Sequence, residues 1–194
     1  MFERFKNIPR KRKQAWLWNT LIGIGVFVLI LIALANIDAT PYNTFTSQKY
    51  RMQIKYPAYW TMVKNPPGGA VAVFVSPKQN PMDLFQESIN VVVQPLPGQA
   101  TDLTKFSELT VKQLTGTFKK YVEVLEGRNV KLGGRPAYRF VYKTGGNDPD
   151  GREYLHVWAV RGPYAYIITY AARAGDFDEY KLELRKVLRS FEFL

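Results

Sequence analysis

Few side chains of this 194-residue chain have the type and spacing to do chemistry. It has one histidine, His156, and no cysteine, which removes thiol nucleophiles, disulfides, cysteine zinc sites and most histidine-based metal or triad chemistry. The densest acidic run is Asp148-Pro149-Asp150-Gly151-Arg152-Glu153, with three carboxylates loosely like the start of a calcium loop. It lacks EF-hand spacing, and Pro149 restricts its first turn. Two readings therefore stand: a hairpin loop with turn chemistry from Asn147, Asp148 and Gly151, or a weak calcium site on Asp148, Asp150 and Glu153.

His156 shares one side of an alternating run with Tyr154 and Trp158 and has no carboxylate spaced to activate it. A covered imidazole with one hydrogen bond accounts for it better than a metal ligand or a catalytic base. Tyr164, Tyr166 and Tyr170 line one side of another run. Sheet packing under a helix suits them better than a base-stacking platform. Gly23-Ile24-Gly25 follows no strand, so a dinucleotide loop fails. There is no phosphate-loop motif, no nucleophile elbow and no carboxylate pair set in an apolar pocket. The expectation is a protein that is not an enzyme and needs no cofactor.

The elements that carry these residues begin with a membrane segment. The formal charge is +11, and residues 1–14 hold +5 of it through Arg4, Lys6, Arg10, Lys11, Arg12 and Lys13 against Glu3. Residues 15–35 read AWLWNTLIGIGVFVLILIALA, with only Asn19 and Thr20 polar apart from the indoles. At about 1.5 Å per residue such a helix matches a hydrocarbon core of roughly 30 Å. Trp16 and Trp18 suit the interface, and Arg10, Lys11, Arg12 and Lys13 suit anionic headgroups on the cytoplasmic side. The expected topology puts the N-terminus in the cytoplasm and the chain after about Asp38 outside, at the plasma or inner membrane, or the thylakoid of a photosynthetic host. Ala33-Leu34-Ala35 also fits a signal-peptide cleavage site, so retained anchor and cleaved signal both stand.

Residues 36–47 read as a linker and 48–194 as one outer domain. Alternation or short apolar runs predict strands near residues 50–55, 61–64, 71–76, 89–94, 122–132, 136–143, 152–161 and 164–171. Two stretches switch to helical period. Thr101–Tyr121 carries Leu103, Phe106, Leu109 or Thr110, Leu114 and Phe118 on one face, with Thr101 or Asp102 as N-cap. Asp176–Arg189 aligns Phe177, Tyr180, Leu184, Val187 and Leu188 with Phe191 beyond. The later strands are apolar on both sides, so the two helices are expected to cover opposite faces. The predicted class is α+β: an α-β-α sandwich around a central antiparallel sheet, preceded by one N-terminal transmembrane helix.

Several segments then acquire a common meaning: Tyr56-Pro57-x-x-Trp60 after a strand, Val73-Phe74-Val75-Ser76-Pro77, Ile89 to Val93, and Gly134-Arg135-Pro136-Ala137-Tyr138. Tyr166 to Ala171, with Tyr170 inside it, and Ser190-Phe191 complete the series. In this order the chain resembles the PsbP-like proteins, a fold shared by extrinsic photosystem II proteins, bacterial envelope proteins and a nuclear GTPase-binding protein. The resemblance implies a non-enzymatic accessory or assembly factor docked on a membrane complex. Its motifs are turns and core positions, so no functional residue carries across, and the cation sites credited to some photosystem members do not transfer. The expected partners are lipid headgroups and a larger membrane protein complex, without nucleic acid; an envelope ligand-binding or sensing module is the alternative.

Overall fold

Alternation of period two builds most of the molecule. The computed structural model describes residues 21–29, 40–83, 85–96, 102–117, 121–145 and 151–194. They fall into two units, residues 1–40 and 41–194. In the first, residues 21–29 form a helix, α1, with every residue exposed. The remainder of the expected span, residues 15–20 and 30–35, lies outside the described residues, as do Arg10, Lys11, Arg12, Lys13, Trp16 and Trp18. Among the described residues no helix is long and apolar enough to cross a membrane.

The second unit runs β1 Tyr42–Ser47, β2 Met52–Pro57, β3 Thr61–Met62, β4 Ala72–Val75, β5 Ser88–Pro95, α2 Leu103–Thr117 and β6 Tyr121–Leu132. It continues β7 Arg135–Thr144, β8 Arg152–Arg161, β9 Tyr164–Arg173, α3 Lys181–Arg189 and β10 Glu192–Phe193. Seven strands make one antiparallel sheet in the order β3-β4-β5-β9-β8-β7-β6, and β1-β2-β10 make a second. The α+β class and the antiparallel pairing are as expected; the division into two sheets is not.

Register explains why both faces of the large sheet are apolar. Val91 opposes Ile168 and Ile168 opposes Val157, all on one face. Tyr138 opposes Trp158 on the other. The first face shares its core with Met52 and Ile54 of β2 and with Leu184 and Val187 of α3. The second packs Tyr138, Phe140, Tyr142 and Trp158 with Phe106 of α2, and Leu103, Val111 and Leu114 lie against them. One helix therefore serves each face, and the small sheet shares the α3 side. The α2 terminus expected at Asp102 is built so: Lys105 N donates to Asp102 Oδ1 at 2.8 Å, satisfying one of the first turn's orphan donors.

Two expectations are corrected. Residues 42–47, assigned to the linker, are strand β1, registered Tyr42↔Pro57 through Ser47↔Met52. The composition is polar because half of this edge strand faces solvent, and only Tyr42 and Phe45 pack on the core. The last helix starts at Lys181 rather than Asp176. Residues 174–180 are instead successive turns, with Asp176 N bonded to Arg173 O and Glu179 N to Asp176 O, each at 3.0 Å. Phe177 and Tyr180 still reach the core from these turns, so the apolar spacing was right while the backbone was not helical.

Candidate functional site

The residues carrying the family resemblance are mostly interior. Tyr56, Trp60, Phe74, Tyr170 and Phe191 are buried in the α3-side core, with Tyr56 stacked on Phe74 at 4.2 Å and Trp60 edge-on to Tyr180 at 5.2 Å. Pro57 is buried at the end of β2, Pro77 and Pro136 are exposed, and Tyr138 stacks on Trp158 at 4.9 Å beneath α2. Of the acidic trio, Asp148 and Asp150 lie outside the described residues. Glu153 is buried in β8 and paired with Lys143 at 3.0 Å. That pairing already supplies its counter-charge.

His156 sits between strands on the α2 side. Its Nδ1 is 2.9 Å from Thr169 Oγ1 and its Nε2 3.4 Å from Tyr142 Oη, with the Tyr142 ring stacked on it at 5.5 Å. Burial pushes the imidazole down to about 4, so at neutral pH it is an uncharged packing group. Burial likewise raises the Tyr142 phenol. Among the described residues, the side-chain hydrogen-bond partners of His156 are Thr169 and Tyr142, and no carboxylate bonds it.

The surface that stands out is one end of the domain. Antiparallel connection brings the β1–β2, β6–β7 and β8–β9 turns to this same end, and each is flanked by cations. Arg51 closes the first turn with φ 48°, a left-handed conformation unusual outside glycine. Gly133 and Gly134 make the second, with φ 56° and 78°. A Cβ on Gly133 would lie 2.6 Å from the Phe193 ring, so both backbone and packing require glycine.

Arg161 Nη1 donates to Arg51 O at 3.2 Å and Nη2 to Leu194 O at 3.0 Å, and Arg51 Nε donates to Leu194 O at 3.1 Å. Tyr166 Oη donates to Tyr50 O at 2.9 Å, tying the small sheet to the large one. Phe193 lies under two guanidinium groups, Arg161 at 5.1 Å and Arg135 at 5.8 Å. Burial raises the Tyr166 phenol, and the Arg161 and Arg135 charges pull against that rise.

Around this floor lie shallow hollows of about 480 and 210 Å³, bordered by Lys131 and Arg189 in one and by Lys49, Arg51 and Arg161 in the other. Five of these cations and Arg135 make six, none in an ion pair among the described residues. Glu192 is the carboxylate among them, and it accepts from Gln53 Nε2 at 2.6 Å. The opposite end gathers acids: Asp83, Glu87, Asp176 and Glu179. Burial, Glu87 and Asp176 together raise the Glu179 carboxyl, the sign expected where like charges crowd.

The basic end was not singled out from the sequence, although its signal was present. Lys49 and Arg51, Lys131 and Arg135, and Arg161 each flank a turn joining antiparallel strands. Alternate hairpins of a meander end on the same side, so the charges flanking β6–β7 and β8–β9 must accumulate there; the β1–β2 turn belongs to the other sheet and joins them through the Tyr166–Tyr50 bond.

The fold is an α+β domain in which one helix packs on each face of a seven-stranded antiparallel sheet. The chain belongs to the PsbP family, whose model matches residues 40–193. The match begins one residue before the second unit. Among solved structures it is similar to cyanobacterial PsbP (CyanoP) from Synechocystis sp. PCC 6803, at 16% identity and TM-score 0.57, covering 82% of this chain and 96% of that one. It is similar to the Saccharomyces cerevisiae Ran-binding protein Mog1p, at 12% identity and TM-score 0.56, covering 80% and 96%. It is also similar to LpqN of Mycobacterium tuberculosis, involved in cell envelope biogenesis, at 12% identity and TM-score 0.55, covering 81% and 86%. At these identities the likeness is one of fold. No curated protein matches the chain in sequence.

Proposed function

We propose that this chain is a membrane-tethered, non-enzymatic accessory subunit or assembly factor, whose PsbP-family domain docks by its basic end on an acidic face of a larger membrane protein complex. The observation that carries this reading is the gathering of six cations at one end, of which Lys49, Lys131, Arg135 and Arg189 have no ion pair or side-chain hydrogen bond among the described residues, while Arg51 and Arg161 are held on Leu194 O. Unpaired cations on a fixed frame raise the on-rate to an acidic surface and select its orientation. The chain joins the domain at Pro41, whose carbonyl accepts from Ala58 N at 2.8 Å beside the Pro57–Trp60 turn. The basic end is thus the far end, about 20 Å away along the six residues of β1.

In this reading residues 15–35 are the tether, with the N-terminus cytoplasmic and the domain on the outer side of the plasma, inner or thylakoid membrane. Tethering raises the domain's concentration near its partner without adding contacts. The test is affinity purification of the C-terminally tagged full chain from mild-detergent membranes, followed by native electrophoresis and mass spectrometry. Co-migration with one large complex is expected, and migration alone would overturn the reading. Protease added to spheroplasts should digest the domain and spare the N-terminus; the reverse pattern would overturn the topology.

A further inference from the structure

Of the two hollows at the basic end, the larger is bordered by Glu192, whereas no carboxylate lines the smaller one, of about 210 Å³, among the described residues. The smaller hollow lies between the β1–β2 turn and the β8–β9 turn, and its walls are rings: Tyr50 from the first, Pro163 and Tyr164 from the second. Tyr50 and Tyr164 meet edge to face at 5.9 Å, and Tyr166 ties the two turns together with its Oη on Tyr50 O at 2.9 Å. Leu96 N donates to Pro163 O at 2.8 Å, pinning the β8–β9 turn to the chain just beyond β5. The walls are therefore fixed in advance, so a guest loses little in ordering them. The fold does not use up their surface: Tyr50 and Tyr164 are half-buried and Pro163 is exposed.

Charge at the rim decides the sign of the guest. Lys49 and Arg51 stand exposed there, and Lys49 has no ion pair among the described residues. Its ammonium lies 5.1 Å over the Tyr50 ring, so the ring face a cationic guest would seek already carries a cation. A guest must be apolar where it enters and negative where it meets the rim. The hollow is smaller than an ordinary small-molecule site and takes a single bulky side chain. We infer that it is the anchor pocket for the docking partner: one apolar side chain of an acidic protein segment lodges against Tyr50, Pro163 and Tyr164, with a neighbouring carboxylate on the Lys49 ammonium. A few apolar anchors seated in preformed pockets carry most of an interface's energy, while the surrounding charges set orientation and partner choice. This inference rests on docking through the basic end and adds the contact that holds the partner once attraction has delivered it.

The experiment is fluorescence anisotropy of a labelled peptide, Glu-Glu-Leu-Glu-Glu, titrated with the full chain in phosphatidylcholine nanodiscs at low salt. Saturable binding is expected. Serine in place of the peptide's leucine should weaken it by about tenfold, as should Tyr164→Ala in the protein. Lys49→Gln should weaken it by about threefold, the scale of an exposed ion pair. Equal binding of the serine peptide, equal binding by folded Tyr164→Ala, or no saturation would overturn the pocket. Binding of phosphatidylglycerol vesicles without binding of the peptide would assign the surface to lipid and overturn it too. Should Tyr164→Ala fail to fold, saturation-transfer difference spectra of the peptide on the unsubstituted protein decide: strongest transfer to the leucine methyls supports the pocket, and strongest transfer to the glutamates refutes it. Failure of the peptide while the full chain still retains a complex overturns the pocket alone, whereas failure to retain any complex overturns the docking on which it rests.

Discussion

At the scale of single residues, the polar groups of the interior serve packing, and two can be tested directly. His156 is held neutral by burial, with its proton affinity lowered from 6.5 to about 4. The unfolded chain therefore binds more protons between those values. Linkage makes the fold's stability flat above about pH 6.5 and declining as pH falls toward 4, by up to about 3 kcal/mol for this one group. Urea titrations across that range should show the slope, and His156→Gln should flatten it; an unchanged slope would contradict the assignment. Ser107 is buried in α2, donates to Leu103 O at 2.6 Å and accepts from Trp158 Nε1 at 2.8 Å. Ser107→Ala leaves that indole donor unpaired and should cost about 1–3 kcal/mol in chemical denaturation. The placement of His156 beside Tyr154 and Trp158 was legible from alternation alone. Its hydrogen bond to Thr169 was not, because it crosses strands whose register no local pattern specifies.

At the scale of elements, period and turn chemistry were the legible part. The β8 residues 152–161 and the Asp102 cap of α2 stand where the sequence places them. Leu103, Phe106 and Leu114 do face the sheet, and of the pair Leu109 and Thr110 it is Thr110 that turns inward, Leu109 being 57% exposed. Strand β1 was hidden because its stability is long-range: six polar-looking residues gain their place by pairing with β2. The start of α3 was hidden because apolar residues at helical spacing can also be presented by consecutive turns. Trp60, 3% exposed beside Tyr180, and Phe74, fully buried between Phe45 and Tyr56, join the small sheet and α3 to the large sheet. Trp60→Ala or Phe74→Ala should each destabilise the domain by about 3–5 kcal/mol in thermal or urea unfolding. A near-neutral result would show that the two sheets do not share one core.

At the scale of the whole molecule, the two ends of the second unit gather different charges, although Arg152 and Arg173 face each other at the end that holds the acids. Acids gather at the end where the chain enters at Pro41, and unpaired cations at the far end. The net charge of +11 gave the sign of the excess; it could not give the geometry, since the cations come from turns far apart in sequence. Arg51 and Arg161 are engaged in holding the last strand, whereas Lys49, Lys131, Arg135 and Arg189 take no part in side-chain hydrogen bonds or ion pairs among the described residues. This division allows the surface charge to be reversed without disturbing the frame. Electrostatic docking also predicts a marked loss of association as salt rises, because exposed charges are screened over about 8 Å at physiological ionic strength. The most direct measurement is therefore co-purification of the full chain carrying Lys131→Glu and Arg189→Glu together, two cations that also make no ring contact among the described residues, compared with the unsubstituted protein at low and high salt. The account predicts a complex held by the unsubstituted protein at low salt, weakened by salt, and lost in the substituted protein with its unfolding transition unchanged; retention of the same complex by the folded substituted protein would contradict it.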